Sequence, residues 1–325
     1  MMMRMMMSRS GPRLLRRYGT STTTRRNMKF ITAGATIGSV LGGGAVVVLA
    51  EGKDSDNSSS SNDLISRLMA EASGTFILIA GGCGVVCAAK YASAGFTPFG
   101  ISAIWGATVC LAVFATRDVS GAHLNPAITA TLAVNKPDSI SFQEAPMYMA
   151  AQTLGAGAAG YMNYLIFRNG ISALEKTEGV TRGTPKSISV LNGSFGMYPN
   201  QQIVRTGLCA FGVEVVATSL FSYLVFAITD ENGSVPADAA PPLIGTTVAV
   251  LVATFGGVTG CGMNPARDLG PRLASAVAGF GPAAMQSAWL YTAGPIVGAI
   301  LGGRIYMETI GKRLKEKAEA KAAFR

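Results

Sequence analysis

The chain has 325 residues, of which 14% are charged, whereas an average soluble domain carries about 25%. Five long stretches contain no charged residue: 72–89, 92–116, 145–167, 239–266 and 273–303. Since a transmembrane helix needs about 20 mostly apolar residues, this pattern predicts an all-α, multi-pass membrane protein and excludes a soluble globular fold. The single His and the five scattered Cys indicate neither a multi-His metal site nor a disulfide framework.

The N-terminal residues 1–30 form a basic leader or tail rich in Ser and Thr, with eight basic residues and no acid. This composition is typical of an organelle transit segment, and a basic cytosolic tail fits equally well. Because the leader supplies most of the net charge of +9, the charge gives no reason to expect a nucleic-acid partner. An apolar segment of open fate (31–50) and a polar linker that we expect to be disordered (51–65) follow.

The remaining chain forms one membrane domain, residues 66–308, followed by a basic C-terminal tail, 309–325. The candidate spans are 66–90, 98–116, 142–167, 205–229, 241–259 and 284–307. A loop over 168–204 separates the third span from the fourth. The membrane that holds the chain is left open: the basic leader favours an organelle or endomembrane, and the plasma membrane is the alternative.

The membrane domain contains an internal repeat, with repeat one at 66–167 and repeat two at 205–308. Its markers are Asn125-Pro126-Ala127, which returns 139 residues later as Asn264-Pro265-Ala266. Glu71 precedes the first box and Glu214 the second at similar distances. Three spans per repeat is an odd number, so the second copy inserts upside down. Such inverted repeats place a shared site near the bilayer midplane.

Each Asn-Pro-Ala box opens a segment that is too short to cross the membrane, 125–135 and 264–277. Asn is a favoured helix N-cap and Pro suits the first helical position, so each box predicts the start of a short re-entrant helix. Two such half-helices from opposite faces meet with their N-termini at the midplane, where each carries about half a positive charge. We expect these ends to repel cations, and the amides of Asn125 and Asn264 to donate hydrogen bonds to a passing oxygen.

Paired boxes in an inverted repeat resemble the aquaporin (major intrinsic protein) family, and the resemblance covers roughly 66–308. ISAIWGAT from Ile101, together with Asp268 directly after Arg267, is most similar to the glycerol-facilitator (aquaglyceroporin) branch. The resemblance implies six transmembrane helices plus two re-entrant half-helices. It also implies a homotetramer with one pore per subunit, no cofactor, no metal and no enzymatic activity. The expected function is a passive channel for water and small uncharged solutes, foremost glycerol and similar polyols.

The resemblance also maps a selectivity filter, by offset from the two boxes, onto Trp105, Val252, Cys261 and Arg267. With Trp105 opposite Arg267, the C–H edge of a polyol would slide on the indole while its hydroxyl edge bonds to the guanidinium. Val252 stands where water-only members place His, so we expect a wider and more apolar filter. Cys261 and Tyr291 depart from the glycerol pattern, and a water-selective aquaporin is therefore the alternative.

Three further polar side chains, Glu71, Glu214 and His123, permit other hypotheses. The resemblance implies that the glutamates hold the re-entrant loops, whereas a proton relay through them would indicate a secondary active transporter. His123 follows Ser120 by three residues on one loop, which favours a structural role over a catalytic one.

Overall fold

The computed structural model describes residues 56–323, which form six long helices, two half-helices and two shorter helical segments. The long helices are α1 (Asp56–Tyr91), α2 (Pro98–Ser120), α4 (Ala145–Glu178), α6 (Gly207–Ile228), α7 (Ala240–Thr259) and α9 (Ala288–Tyr306). The half-helices are α3 (Pro126–Asn135) and α8 (Pro265–Ser275), and the others are α5 (Ile188–Leu191) and α10 (Lys312–Ala323). The predicted leader 1–30, the apolar segment 31–50 and residues 51–55 of the linker lie outside the described residues.

Several helix ends differ from the boundaries expected from hydropathy. Helix α1 begins at Asp56, so residues 56–65 of the expected linker are helical, and α10 occupies most of the expected tail. Helix α4 continues to Glu178, well past the expected end of the third span at residue 167. It ends where Gly179 adopts a left-handed conformation (φ 61°) and donates its N–H to Glu175 O and Lys176 O. That is a helix C-cap, which the backbone sets independently of the hydrocarbon boundary.

Among the described residues, four helices are long and apolar enough to cross a membrane: Ser61–Tyr91, Pro98–Ser120, Gly207–Ile228 and Ala237–Thr259. Helices α4 and α9 complete the six, and even the 19 residues of α9 extend about 28 Å at 1.5 Å per residue. Large apolar side chains such as Leu154 and Leu208 are exposed on the outer surface. Lipid is the environment in which such a surface is stable.

The two repeats interlock through their half-helices. Within the repeats, α1 packs on α2 and α4, and α6 packs on α7 and α9. Across the repeats, α3 packs on α9, α8 packs on α4, and α2 packs on α7. Each half-helix is therefore held largely by the third long helix of the other repeat, so that neither repeat encloses its half-helix alone.

Glycine allows the closest of these helix contacts. A Cβ at Gly155 in α4 would overlap the carbonyl oxygen of Ala72 in α1, and one at Gly302 in α9 would overlap that of Ser219 in α6. These are corresponding interfaces in the two repeats. Small residues at both places let the backbones approach, which is how helices associate without a hydrophobic driving force in lipid.

We expect Gly302→Ala to destabilise the folded protein, because the new methyl group must push α9 away from α6. Overpacking of this kind costs about 1–3 kcal/mol, which corresponds to a fall of at least about 2 °C in the unfolding midpoint. The measurement is thermal unfolding of the purified protein in detergent. Gly212→Ala in α6 is the control, since no atom lies within 4 Å of its added Cβ. Equal midpoints for the two variants would contradict this packing.

Candidate functional site

Both Asn-Pro-Ala boxes begin a half-helix in the structure. Asn125 caps α3, and its Oδ1 accepts a hydrogen bond from Ala127 N at 2.9 Å. Asn264 caps α8, and its Oδ1 accepts hydrogen bonds from Ala266 N at 3.0 Å and Arg267 N at 3.2 Å. Both Asn residues have extended backbones, and Pro126 and Pro265 occupy the first helical positions.

The two capping amides also join the repeats to each other. Asn125 Nδ2 donates to Met263 O at 2.9 Å, and Asn264 Nδ2 donates to Leu124 O at 2.8 Å. The sequence predicted amides that are entirely free to donate into a cavity. Instead, one N–H of each amide closes this reciprocal bridge. Since an amide carries two N–H groups, the second remains for a solute.

The loops that precede the two boxes share an unusual backbone. Positive φ angles recur 139 residues apart at Gly121, Ala122 and Leu124 and at Gly260, Cys261 and Met263. Four of these six residues are not glycine, so their conformation is costly and persists only where the surroundings hold it.

Glu71 is the group that holds the first loop. Its carboxylate accepts hydrogen bonds from Ser120 Oγ at 2.6 Å and from the backbone N–H groups of His123 at 2.9 Å and Leu124 at 2.7 Å. A fourth bond comes from Gln152 Nε2 at 2.7 Å. The carboxylate is completely buried, so these four donors replace the water that it loses.

Glu214 holds the second loop in the same way. It accepts hydrogen bonds from Thr259 Oγ1 at 2.7 Å and from the N–H groups of Gly262 and Met263, both at 3.0 Å. The N–H and C=O of one peptide unit point in opposite directions. When these N–H groups face the glutamates, the carbonyls of residues 122–123 and 261–262 therefore face away from them, on the side of the cavity described next.

A cavity of about 80 Å³ lies between the two repeats and has two chemically different walls. One wall is apolar and is formed by Leu78, Trp105, Val109, Val113, Ile128, Phe221, Val225, Ile244, Val248 and Val252. The other is formed by the two loops, Ala122–Asn125 and Gly260–Asn264, and by Arg267. The structure thus brings together the expected filter residues Trp105, Val252, Cys261 and Arg267 with both Asn residues.

Trp105 and Arg267 stack on each other rather than facing each other across a gap. The guanidinium Cζ lies 4.4 Å from the centroid of the indole, which is a cation–π contact. Arg267 also donates to Cys83 Sγ at 3.3 Å and to Gly193 O at 3.2 Å. At this distance no solute fits between the two groups.

His123 makes contacts that the sequence motifs alone do not indicate. His123 Nδ1 is 3.2 Å from Thr129 Oγ1, and its ring packs 5.1 Å from that of Tyr148. Ser120 Oγ binds Glu71 and not His123, so the structure forms no Ser–His pair. Among the described residues, no group of three His, Cys, Asp or Glu side chains could hold a metal ion.

Asp268 and Arg272 form a fully buried ion pair on α8, with 2.6 Å between Oδ2 and Nε. Asp268 also accepts from Met197 N at 2.7 Å, and Arg272 donates to Ala284 O at 2.7 Å and to Met197 O. The pair therefore fastens the loop between α4 and α6 onto α8, and Gly193 in this loop reaches Arg267.

Tyr198 covers this ion pair. Its ring lies over the Arg272 guanidinium, with Cζ 4.4 Å from the centroid. Burial raises the pKa of the Tyr198 phenol, which therefore stays neutral beside the ion pair. Sequence reasoning missed the contacts of Cys83, Gly193 and Arg272. Only Arg272 carried a signal, namely a charge four residues after Asp268 on a predicted half-helix.

The chain matches the family described as "Major intrinsic protein" over residues 57–306. It is 39% identical over 267 residues to the glycerol uptake facilitator protein of Escherichia coli (strain K12), covering 79% of this chain and 92% of that protein. It is 36% identical over 260 residues to the propanediol uptake facilitator PduF of Citrobacter freundii, covering 78% and 95%. The X-ray structure of the aquaglyceroporin from Plasmodium falciparum has the same fold, with a TM-score of 0.67 at 24% identity over 78% of this chain and 99% of that one.

The chain therefore belongs to the major intrinsic protein family. The resemblance inferred from the two Asn-Pro-Ala boxes is confirmed, as is the predicted class of an all-α, multi-pass membrane protein. Members of this family are channels and facilitators rather than enzymes, so the non-enzymatic expectation is confirmed as well.

Cys261 gives a direct test of the cavity. Its Sγ donates to Leu251 O at 3.3 Å and the residue lines the cavity, so a mercury ion bound there would obstruct solute flux. We expect Hg²⁺ to block flux in reconstituted vesicles and Cys261→Ser to remove the block. Cys209→Ser is the control, because Cys209 is exposed at the start of α6 and lies outside the cavity. Equal Hg²⁺ sensitivity of Cys261→Ser and the unmodified chain would show that Cys261 does not line the path.

Proposed function

We propose that the chain is a passive channel for water and small uncharged solutes, with glycerol and similar polyols as its principal substrates. The observation that carries this proposal is the two-sided cavity. A polyol has a C–H face that suits the apolar wall and hydroxyl groups that suit the carbonyls, the amides and Arg267. The relatives named as glycerol and propanediol facilitators support the same substrate class.

The charges around the cavity support exclusion of cations and protons. Two half-helix N-termini point their positive ends at its centre, each equivalent to about half a charge, and Arg267 adds a full charge beside them. Among the described residues, those that line the cavity include no carboxylate to offset this potential. A neutral solute passes such a site, whereas a cation meets an electrostatic barrier.

The hydrogen bonds of the buried glutamates favour a channel over a coupled transporter. Glu71 is engaged by four donors and Glu214 by three, and neither lines the cavity. A coupling ion would have to displace bonds that hold the re-entrant loops. We therefore assign both residues to support of the loops.

The position of Tyr291 favours glycerol over water alone. Its ring is buried behind the second loop, and its hydroxyl donates to Thr259 O at 2.6 Å. It does not line the cavity, so this aromatic residue does not narrow the path. We assign the selectivity filter to Trp105, Val252, Cys261 and Arg267, where only one residue is aromatic.

We further propose that the chain assembles as a homotetramer with one pore per subunit. The exposed apolar side chains on the outer surface support contacts both with lipid and with neighbouring copies. The basic residues 1–30 support an organelle or endomembrane location, with the plasma membrane as the alternative.

Stopped-flow light scattering on the purified chain in liposomes tests the proposed function. We expect fast shrinkage under an impermeant osmolyte, which reports water, and fast reswelling under a glycerol gradient. Both rates should be independent of pH and sodium gradients. Water flux without glycerol flux would mean a water-selective channel, and a dependence on either ion gradient would mean a coupled transporter.

Replacing the filter arginine tests the assignment of the filter. Arg267→Ala removes the guanidinium from the cavity, so we expect faster permeation of polyols larger than glycerol and a measurable proton leak. Arg304→Ala is the matched control, because it removes a positive charge from an exposed surface position on α9 that pairs with Glu308. The same solute preference in both variants would rule out Arg267 as the selective group.

A further inference from the structure

We propose that Gly82 and Cys83 of α1 position the stacked Trp105–Arg267 pair and thereby determine how well the channel passes polyols relative to water. Neither residue lines the cavity, so each acts through the filter residue that it touches. The inference rests on the proposed function, because it concerns the selectivity of that channel.

Cys83 holds the guanidinium of Arg267. The thiol is completely buried, and its Sγ accepts a hydrogen bond from Nη1 at 3.3 Å. The other hydrogen bond of the guanidinium goes from Nη2 to Gly193 O at 3.2 Å. Since a guanidinium has five N–H donors, these two bonds fix its orientation and leave other donors for a solute.

The chemistry of the thiol suits this role. Sulfur is a weak acceptor without formal charge, so it orients Arg267 without neutralising it. A carboxylate in the same position would form an ion pair and remove the positive charge from the filter. The contact with Cys83 therefore fixes the position of Arg267 while its charge remains available.

Gly82 sets the position of Trp105. A Cβ at this residue would overlap the indole at Cε3, Cζ3 and Cη2, so the ring lies directly against the backbone of α1. A side chain at Gly82 would displace the ring, and Arg267 is stacked on that ring. Two residues further along α1, a Cβ at Gly84 would make only an ordinary contact, 3.5 Å from Asn163 Oδ1.

The two filter residues come from different repeats, Trp105 from α2 and Arg267 from α8. Helix α1 touches both within two consecutive residues. The spacing of the stacked pair therefore depends on this short part of α1 as well as on the helices that carry the two side chains.

The test measures water and glycerol permeability in the same liposomes for the full chain and for Cys83→Ala, Cys83→Ser and Cys87→Ala. In Cys83→Ala, Nη1 has no partner and the guanidinium is free to turn into the cavity, where it obstructs glycerol more than water. We expect the glycerol-to-water permeability ratio to fall about fivefold, as for the loss of one typical hydrogen bond. Cys83→Ser keeps a hydrogen-bond acceptor at this position, so its permeability ratio should stay within about twofold of that of the unmodified chain. Cys87 is buried one turn further along α1 and has no hydrogen bond to Arg267, so the permeability ratio of Cys87→Ala should equal that of the unmodified chain.

An unchanged ratio in Cys83→Ala, with the unmodified chain conducting glycerol, would overturn this inference alone. An equal fall in the Ser and Ala variants would also overturn it, because packing rather than the hydrogen bond would then matter. Absence of glycerol flux in the unmodified chain would contradict the proposed function and the inference with it. If Cys83→Ala fails to fold, a comparison of Gly82→Ala with Gly84→Ala tests the inference instead. A lower glycerol-to-water permeability ratio in Gly82→Ala alone supports the inference, and equal ratios in the two variants overturn it.

Discussion

The structure depends on hydrogen bonds that the backbone N–H groups of the re-entrant loops donate to two buried carboxylates. Inside a membrane, no water is available to satisfy peptide groups that leave a helix, so irregular backbone needs partners within the protein. Glu71 and Glu214 bind the N–H groups that precede each box. The same bonds turn the opposite carbonyls toward the cavity. One requirement of folding therefore also creates the polar wall along which a solute would move.

The two repeats share this backbone but differ in the residue that follows it. Three positions after Asn264 lies Arg267, and three positions after Asn125 lies Ile128, which also faces the cavity. The tyrosine hydrogen bonds behind the two loops, by contrast, correspond: Tyr148 donates to Ser120 O, and Tyr291 donates to Thr259 O. The symmetric part of the structure thus builds the loops and the central amides, while the difference between Ile128 and Arg267 places a positive group in the second repeat only.

The sequence predicted the features that have a local or repeated signal. Charge-free stretches indicated the long helices, and each Asn-Pro-Ala box indicated a capped half-helix, because capping depends on neighbouring residues. The contacts of Arg267 could not be predicted in this way, since Cys83 lies 184 residues away and Gly193 lies 74 away. Gly193 contributes only a carbonyl, which any residue carries. The stacking on Trp105 likewise depends on the packing of α2 against α1, which an offset from the boxes does not describe.

Arg267 and Arg272 lie on one half-helix and are both buried, yet only the charge of Arg272 is compensated by a carboxylate. Arg272 is paired with the carboxylate of Asp268 and donates its remaining bonds to carbonyls, so its charge is compensated and its role is to hold the loops together. Arg267 has a thiol, a carbonyl and an aromatic face as partners, none of which carries a formal charge. A buried charge with a carboxylate partner is inert toward cations, whereas one held by neutral groups keeps its field. The difference in partners, rather than in residue type, is what makes Arg272 a structural residue and leaves the charge of Arg267 uncompensated.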